Sequence, residues 1–196
     1  RLGSTQTKLG DIGYTDVNGD GKIDGEDQVR IGKPTMPHFT YAFDFSLGYE
    51  GFTLSGLLYG TGERYMTFGN RYQSGEGKYL YYENQLNYWR PDNTGADFPR
   101  ISISSGVNGN NNKAGSTFWM RNASYLRLKD LQLSYDFKYK YLKKCDWLQT
   151  CRVNLSGRNL FTISGVSKFF DPETSSTSGD GYPVQRVYSI GVTIGF

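Results

Sequence analysis

The sequence predicts an all-β fold of antiparallel strands that cross a membrane, and three observations support this. Apolar and polar residues alternate with a period of two in several stretches, as on the two faces of a strand. Aromatic residues make up 16% of the 196 residues, although only 37% are hydrophobic. The longest alternating stretches have about the length that a tilted strand needs to cross a bilayer.

Residues 1–37 are predicted to form a loop that contains a calcium-type motif, D-V-N-G-D-G-K-I-D-G-E-D. A hard cation needs several converging oxygen atoms, and Gly21 at the sixth position allows the sharp turn. The last position carries Asp instead of the usual Glu, as in dockerin-like loops. The predicted ligands of Ca²⁺ are Asp16, Asn18, Asp20, the Lys22 carbonyl, Asp24 and Asp27. The alternative is a loop of Asx turns that holds no metal.

Residues 38–196 are predicted to carry the strands, and the first two, 39–49 and 52–62, form a hairpin. From Phe39 to Tyr49 every second residue is large and apolar, with aromatic residues at both ends. Gly51 allows the tight turn, and the return strand alternates less strictly. Such large apolar residues are typical of lipid-facing strands between two aromatic girdles.

Residues 63–117 show no sustained alternation and are predicted to form a long loop. Tyr and Trp side chains in an exposed loop combine apolar faces with hydrogen-bonding edges, so they suit contacts with sugars or with a partner protein. The candidates for such contacts are Tyr81, Tyr82 and Trp89. The alternative is that these rings pack the loop onto itself.

Three further strands are predicted at 118–137, 151–163 and 184–196, with an irregular loop at 164–183. In the first of them the apolar parity changes, which predicts a β-bulge near Lys129–Asp130. In the last, apolar residues share one parity and the chain stops at Phe196. That strand resembles the closing strand of a bacterial outer-membrane β-barrel.

Several motifs follow one another in a specific order: G-D-I-G-Y-T-D-V-N-G-D-G-K-I-D, I-G-K-P-T-M-P, Y-W-R-P-D-N, R-N-A-S-Y-L-R-L-K-D-L-Q-L-S-Y, L-S-G-R-N-L-F-T and a terminal Phe. Together they resemble the carboxy-terminal part of a SusC/RagA-type TonB-dependent transporter over nearly the whole chain. The resemblance implies the last five antiparallel strands of a 22-stranded transmembrane barrel with long extracellular loops. The plug and the remaining strands are expected to be absent from this chain.

The resemblance also implies a function and partners. Transporters of this type import glycans or peptides across the outer membrane of Bacteroidetes-type bacteria, with a SusD-like surface lipoprotein as lid. The TonB complex would engage the missing amino-terminal part, and outer-membrane lipid would surround the strands. Tyr81, Tyr82 and Trp89 would then contact the substrate or the lid.

If Phe196 lies on the periplasmic side, the loops 1–37, 63–117 and 164–183 lie on the extracellular side. The short turns at Gly51 and 138–150 then lie on the periplasmic side, as such barrels require. Cys145 and Cys151 flank the second of these turns. An even number of cysteines in an oxidising compartment favours a disulfide between them. Two free thiols are the alternative.

Other functional classes are disfavoured. The chain has one histidine, His38, so no His-based catalytic triad or metal-histidine cluster can form, and we expect no enzyme. The net charge of +3 is scattered, which argues against nucleic acid. Mean hydropathy is −0.58, and no apolar run reaches the ~18 residues of a membrane helix. The alternative from another class is a soluble, calcium-stabilised β-sandwich that binds carbohydrate.

Overall fold

The computed structural model describes residues 7–69, 72–73, 82–101, 111–174, 181–182 and 184–196. Its contacts divide the chain into two compact units. We call the first the loop unit; it comprises Arg1–Lys33, Tyr65–Arg121 and Lys168–Gly181. We call the second the sheet unit; it comprises Pro34–Arg64, Asn122–Ser167 and Tyr182–Phe196.

The sheet unit is built on one five-stranded antiparallel sheet. The strands of the chain are β1 (Phe39–Tyr49), β2 (Phe52–Gly62), β3 (Tyr65–Thr67), β4 (Met120–Asn122), β5 (Tyr125–Asp136), β6 (Thr150–Ser164) and β7 (Val187–Gly195). The order in the large sheet is β1-β2-β5-β6-β7, and each strand pairs antiparallel with its neighbours. The predicted all-β fold with five antiparallel strands is therefore confirmed.

The hairpin between β1 and β2 closes through a two-residue turn. Tyr49 pairs with Phe52, and the two turn residues, Glu50 and Gly51, have φ angles of 46° and 85°. Two positive φ values are typical of the type I′ turn, whose twist matches that of the flanking strands. The bounds of both strands agree with those predicted from the alternation.

The other strands differ from prediction at their ends. The predicted strand 118–137 is divided into the short β4 and the longer β5, because Ala123 and Ser124 interrupt it. The last strand begins at Val187 instead of residue 184. The predicted β-bulge is confirmed, since the register of β5 shifts between Leu128 and Asp130 against β6.

The loop unit contains a second, two-stranded sheet of β3 and β4. It has its own core of buried aromatic side chains, which are Phe68, Tyr72, Phe98, Trp119 and Phe170. The ring of Phe68 is central, because it lies within 6.2 Å of the ring centroids of the other four. Residues 63–117 therefore include packed structure, although their sequence shows no strand periodicity.

Short 3-10 helices complete the secondary structure. They are Gly25–Asp27, Glu83–Leu86, Asn111–Lys113, Thr117–Trp119 and Phe137–Tyr139. Within the described ranges, every helix is too short or too polar to cross a membrane.

Candidate membrane-facing surface and loop sites

Large apolar side chains form one continuous face of the five-stranded sheet, because the strand register brings them side by side. Phe43 of β1 is opposite Leu58 of β2, which in turn is opposite Leu128 of β5. Leu155 of β6 is opposite both Leu133 of β5 and Ile190 of β7. Directly paired residues of neighbouring strands project from the same side of a sheet. We call this side the apolar face.

Most of the large side chains on the apolar face are exposed. The side chains of Phe43, Leu47, Ile163 and Ile190 are 61%, 64%, 64% and 74% exposed. A soluble monomer rarely exposes so large a contiguous apolar surface, whereas a membrane barrel turns such a surface toward lipid. The soluble β-sandwich would instead bury this face against a second sheet.

Three glycines of β2 accommodate aromatic rings of β1 on the apolar face. Phe45 lies over Gly56, Tyr41 over Gly60 and Phe39 over Gly62. Each glycine is the direct cross-strand partner of the ring above it. A bulky ring across a strand glycine shields the backbone and fixes the register. This pairing explains why the glycines of β2 share the parity of its apolar residues.

The opposite side of the sheet, which we call the polar face, carries paired charges. Asp130 of β5 is opposite Arg158 of β6, and the carboxylate oxygen lies 3.4 Å from the guanidinium Nε. Asp136 and Arg152 form a second, looser pair at 3.8 Å. Arg127 is buried, and its Nε donates to the Thr162 hydroxyl at 2.8 Å. A polar interior is what a barrel wall presents to its lumen.

The predicted calcium loop is organised by hydrogen bonds from its own backbone. The carboxylate of Asp16 accepts from the N–H groups of Gly19 and Gly21 at 2.6 and 2.7 Å. Asn18 Oδ1 accepts from the Asp20 N–H, and Asp20 Oδ1 accepts from the Lys22 N–H. These bonds are Asx turns, which hold a loop in shape without a metal.

The end of this loop is closed by Asp27. Its Oδ1 accepts from the Val17 N–H and its Oδ2 from the Asp24 N–H, both at 2.8 Å. The backbone N–H of Asp24, and then that of Val17, stabilises the carboxylate and lowers the pKa of Asp27. Across the described residues, no three acidic, His or Cys side chains are arranged as a metal site. Calcium binding by this loop therefore stays a prediction.

Two of the three aromatic residues predicted to contact a substrate or lid pack within the loop unit. Tyr82 stacks on Tyr72 with ring centroids 4.9 Å apart. The ring of Trp89 lies directly on Gly10, which has a φ of 87° and leaves no room for a Cβ. Tyr81 lies outside the described residues. These contacts are those of the self-packing alternative, and the contact with a substrate or lid stays a prediction.

Cys145 and Cys151 are both free thiols in this structure, as the alternative expects, and a disulfide between them stays a prediction. Cys151 lies in β6 opposite Ile194 of β7, so its side chain projects from the apolar face of the sheet. Cys145 lies in the turn before β6, where its N–H donates to the Leu142 carbonyl.

A buried polar cluster around Asp11 was not predicted. Asp11 accepts from Arg100 Nε at 2.7 Å and Arg100 Nη2 at 3.1 Å, and its side chain is only 2% exposed. Asn112 Nδ2 donates to the same carboxylate at 3.0 Å, and Asn112 Oδ1 accepts from the Ile12 N–H. This cluster joins the segment before the calcium-type loop to the loop between β3 and β4. The sequence offers no signal for it, since its members are about a hundred residues apart and follow no period.

Comparisons with known proteins agree on the type of protein. No protein-family model matches the chain. Two TonB-dependent receptors of Formosa agariphila, P3 and P26, are each 27% identical to it over 93% and 96% of its length. The chain spans 19% and 20% of the length of these curated relatives.

Solved structures that resemble the chain include those of the RagAB peptide transporter. One covers 89% of the chain with a TM-score of 0.67 and 28% identity. The RagAB importer in its open-open state gives a TM-score of 0.66 with the same identity and coverage. In each case the chain spans 19% of the solved chain. By sequence the chain is therefore similar to part of the TonB-dependent receptors, and by fold it is similar to part of the β-barrel of the RagAB transporter.

Proposed function

We propose that this chain forms five strands in the wall of a TonB-dependent outer-membrane importer. The observation that carries the proposal is the continuous apolar face, whose large side chains are exposed while paired charges occupy the other side of the same strands. Lipid outside and a polar lumen inside satisfy both faces. The likeness to TonB-dependent receptors supports the same assignment.

We further propose that the importer takes up oligomeric nutrients, either peptides or glycans, with a surface lipoprotein of the SusD kind. The RagAB structures are described as a peptide importer, which makes a peptide the first cargo to test. Energy would come from the TonB complex through parts of the transporter outside this chain. The loops 1–37, 63–117 and 164–183 would lie on the extracellular side, where a lipoprotein lid would meet them.

Within those loops, Tyr81, Tyr82 and Trp89 are the proposed contacts with lid or substrate. Tyr82 and Trp89 are partly buried, so each leaves a part of its ring at the surface. Replacing all three by Ala in the full transporter should weaken lid binding and slow uptake. Unchanged lid binding and uptake would leave these rings with a packing role alone.

The placement in the membrane is tested by spin labels along β7. Labels at even positions should be accessible to apolar oxygen and shielded from a water-soluble relaxant, with the reverse at odd positions. The even set is Tyr188, Ile190 and Val192, and the odd set is Ser189, Gly191 and Thr193. The labelled cysteines are introduced into the full transporter after Cys145 and Cys151 are replaced by Ser.

Equal accessibility at both parities, or protection of the odd set, would overturn the barrel-wall proposal. A soluble β-sandwich predicts a different result, because its even positions would be shielded from both reagents in a dry core. Cargo is tested separately, by uptake of labelled peptides and oligosaccharides in cells with and without the transporter. Uptake that does not depend on the transporter would contradict the import proposal and leave the barrel placement standing.

A further inference from the structure

The end of the sheet where β1, β5 and β7 finish carries a cluster of aromatic side chains, which we call the rim cluster. It comprises Tyr49, Phe52, Tyr135, Phe137, Tyr139, Tyr141, Trp147 and Phe196. Phe52 of β2 and Tyr135 of β5 pair across the sheet with ring centroids 4.4 Å apart. Trp147 and Phe196 stack with centroids 5.7 Å apart and ring planes 12° apart. The rim cluster therefore extends across the sheet from β1 to the end of β7.

Most rings of the rim cluster remain exposed after this packing. Tyr141, Trp147 and Phe196 are 68%, 67% and 75% exposed. In membrane barrels, exposed aromatic rings collect at the level of the lipid headgroups, where one edge of the ring is wet and the rest is apolar. This end of the sheet thus lies at a membrane interface.

Lysines are interleaved with the rim cluster in the turn between β5 and β6. The segment K-Y-K-Y-L-K-K, from Lys138 to Lys144, contains four lysines. The Lys138 ammonium donates to the Leu148 carbonyl, so this lysine is engaged within the turn. The other three are Lys140, Lys143 and Lys144; their side chains are exposed, and no described acidic residue forms an ion pair with them.

We propose that the turn from Lys138 to Lys144 and the rim cluster together bind an anionic phospholipid. Ammonium groups at the headgroup level attract lipid phosphates, and the aromatic rings pack against the glycerol and upper acyl region. The short turns of such barrels face the periplasm, so the lipid belongs to the inner leaflet of the outer membrane. The proposal rests on the outer-membrane placement and does not depend on which cargo is imported.

The interleaving favours a lipid over an acidic protein as the occupant. Three exposed rings, Tyr139, Tyr141 and Trp147, alternate with the free lysines within a few residues of the strand ends. A protein partner would be expected to cover these rings, whereas a bilayer interface accommodates rings and ammonium groups at the same depth. The site would therefore select the headgroup charge and not a particular acyl chain.

The test measures lipid binding to the full transporter, delipidated in detergent, by native mass spectrometry. Phosphatidylglycerol and phosphatidylcholine of identical acyl chains are titrated in parallel. The unmodified transporter should bind the anionic lipid at about tenfold or more lower concentration, as expected for three cations near a phosphate. The combined substitution Lys140→Gln, Lys143→Gln and Lys144→Gln should remove this preference.

A matched control removes the same charge elsewhere. Lys8, Lys33 and Lys168 are exposed lysines of the loop unit, and their combined replacement by Gln should leave the preference for the anionic lipid unchanged. Folding of each variant is checked by the heat-dependent shift of the barrel band on electrophoresis. Equal binding of both lipids by the unmodified transporter would overturn the lipid site. An unchanged preference in the variant with all three lysines of the turn replaced would overturn it as well. Absence of binding for every lipid would also overturn the lipid site, whereas the membrane placement is tested separately by the spin labels along β7.

Discussion

Tyr41 of β1 reaches across β2 and donates a hydrogen bond from its hydroxyl to the Tyr125 carbonyl of β5, 3.3 Å away. The ring crosses Gly60, whose lack of a side chain opens the path. A Cβ at position 60 would meet the tyrosine ring and would lie 2.6 Å from the Tyr125 carbonyl oxygen. One glycine thus allows a contact between strands that are not neighbours in the sheet.

Gly60→Ala should therefore destabilise the barrel by about 1–3 kcal/mol, as overpacking does in a close-packed site. Gly191→Ala is the control, because a Cβ there would meet nothing within 4 Å. Tyr41→Phe removes only the hydroxyl and should cost about 0.5–1.5 kcal/mol. The measurement is the free energy of unfolding of the transporter in lipid vesicles. Equal stability of the two alanine variants would contradict this account of the sheet.

A lysine on the apolar face of β7 should cost more than a lysine on its polar face. Ile190 is opposite Leu155 and 74% exposed, so Ile190→Lys places a charge toward the acyl chains. The expected cost is about 2–4 kcal/mol near the bilayer midplane. Ser189→Lys, one residue earlier, faces the polar lumen and should cost much less. The measurement is the free energy of unfolding of the two lysine variants in lipid vesicles. An equal loss of stability in both variants would argue against lipid on the apolar face.

Loss of the Asp11 carboxylate should lower the stability of the loop unit. Asp11→Asn leaves Arg100 without its bidentate partner in a site where the carboxylate is 2% exposed. Breaking one side of such a buried pair costs about 3–5 kcal/mol. The measurement is the rate of protease cleavage in the loops of the folded transporter, which should rise strongly.

The matched control for this variant is Asp92→Asn. Asp92 pairs with Arg90 at 3.3 Å, but both side chains are largely exposed. An exposed ion pair contributes about 0–1 kcal/mol, so cleavage should hardly change. Comparable cleavage of the two variants would mean that the Asp11 cluster does not stabilise the loops.

The calcium-type loop should bind Ca²⁺, because oxygen donors stand at the positions that this cation requires. Calorimetry at millimolar Ca²⁺ checks the prediction. Asp16→Ala should abolish the binding heat. Glu26→Gln is the control and should keep that heat, because it removes a charge of the same loop at a position outside the predicted ligand set. No heat from the unmodified protein would leave the Asx turns as the only order in this loop.

The same loop should lose its order in acid through Asp27. Backbone N–H donors hold the pKa of this carboxylate below its ordinary value in the folded loop. A carboxylate with a depressed pKa contributes stability above its unfolded pKa of about 3.9, and this contribution is lost as the pH falls below that value. Proteolysis of the loop by an acid-stable protease should accelerate below about pH 3.9. Asp27→Asn should be cleaved readily at every pH. If the variant instead shows the same acceleration in acid as the unmodified protein, the role of Asp27 is contradicted.

The alternation of residues was sufficient to predict the five strands of the large sheet. The ends of β1 and β2 and the bulge beside Lys129 follow from the period of two, because each residue must face either lipid or lumen. The apolar face of the sheet could be assigned from the same pattern, strand by strand. The resemblance of the chain to TonB-dependent transporters was visible in the order of several motifs, and no single motif would have been enough to indicate it.

The tertiary structure decided what no local period encodes. The cluster of Asp11, Arg100 and Asn112 joins residues about a hundred positions apart, and hydrogen-bonded loop contacts of this kind follow no repeat. The packing of Tyr82 on Tyr72 also depends on how the loop folds back on itself. The pairing of aromatic rings with the glycines of β2 depends on strand register, as does the position of Cys151 opposite β7. Sequence periodicity specifies which way a side chain points, whereas pairing in three dimensions specifies which side chain it meets.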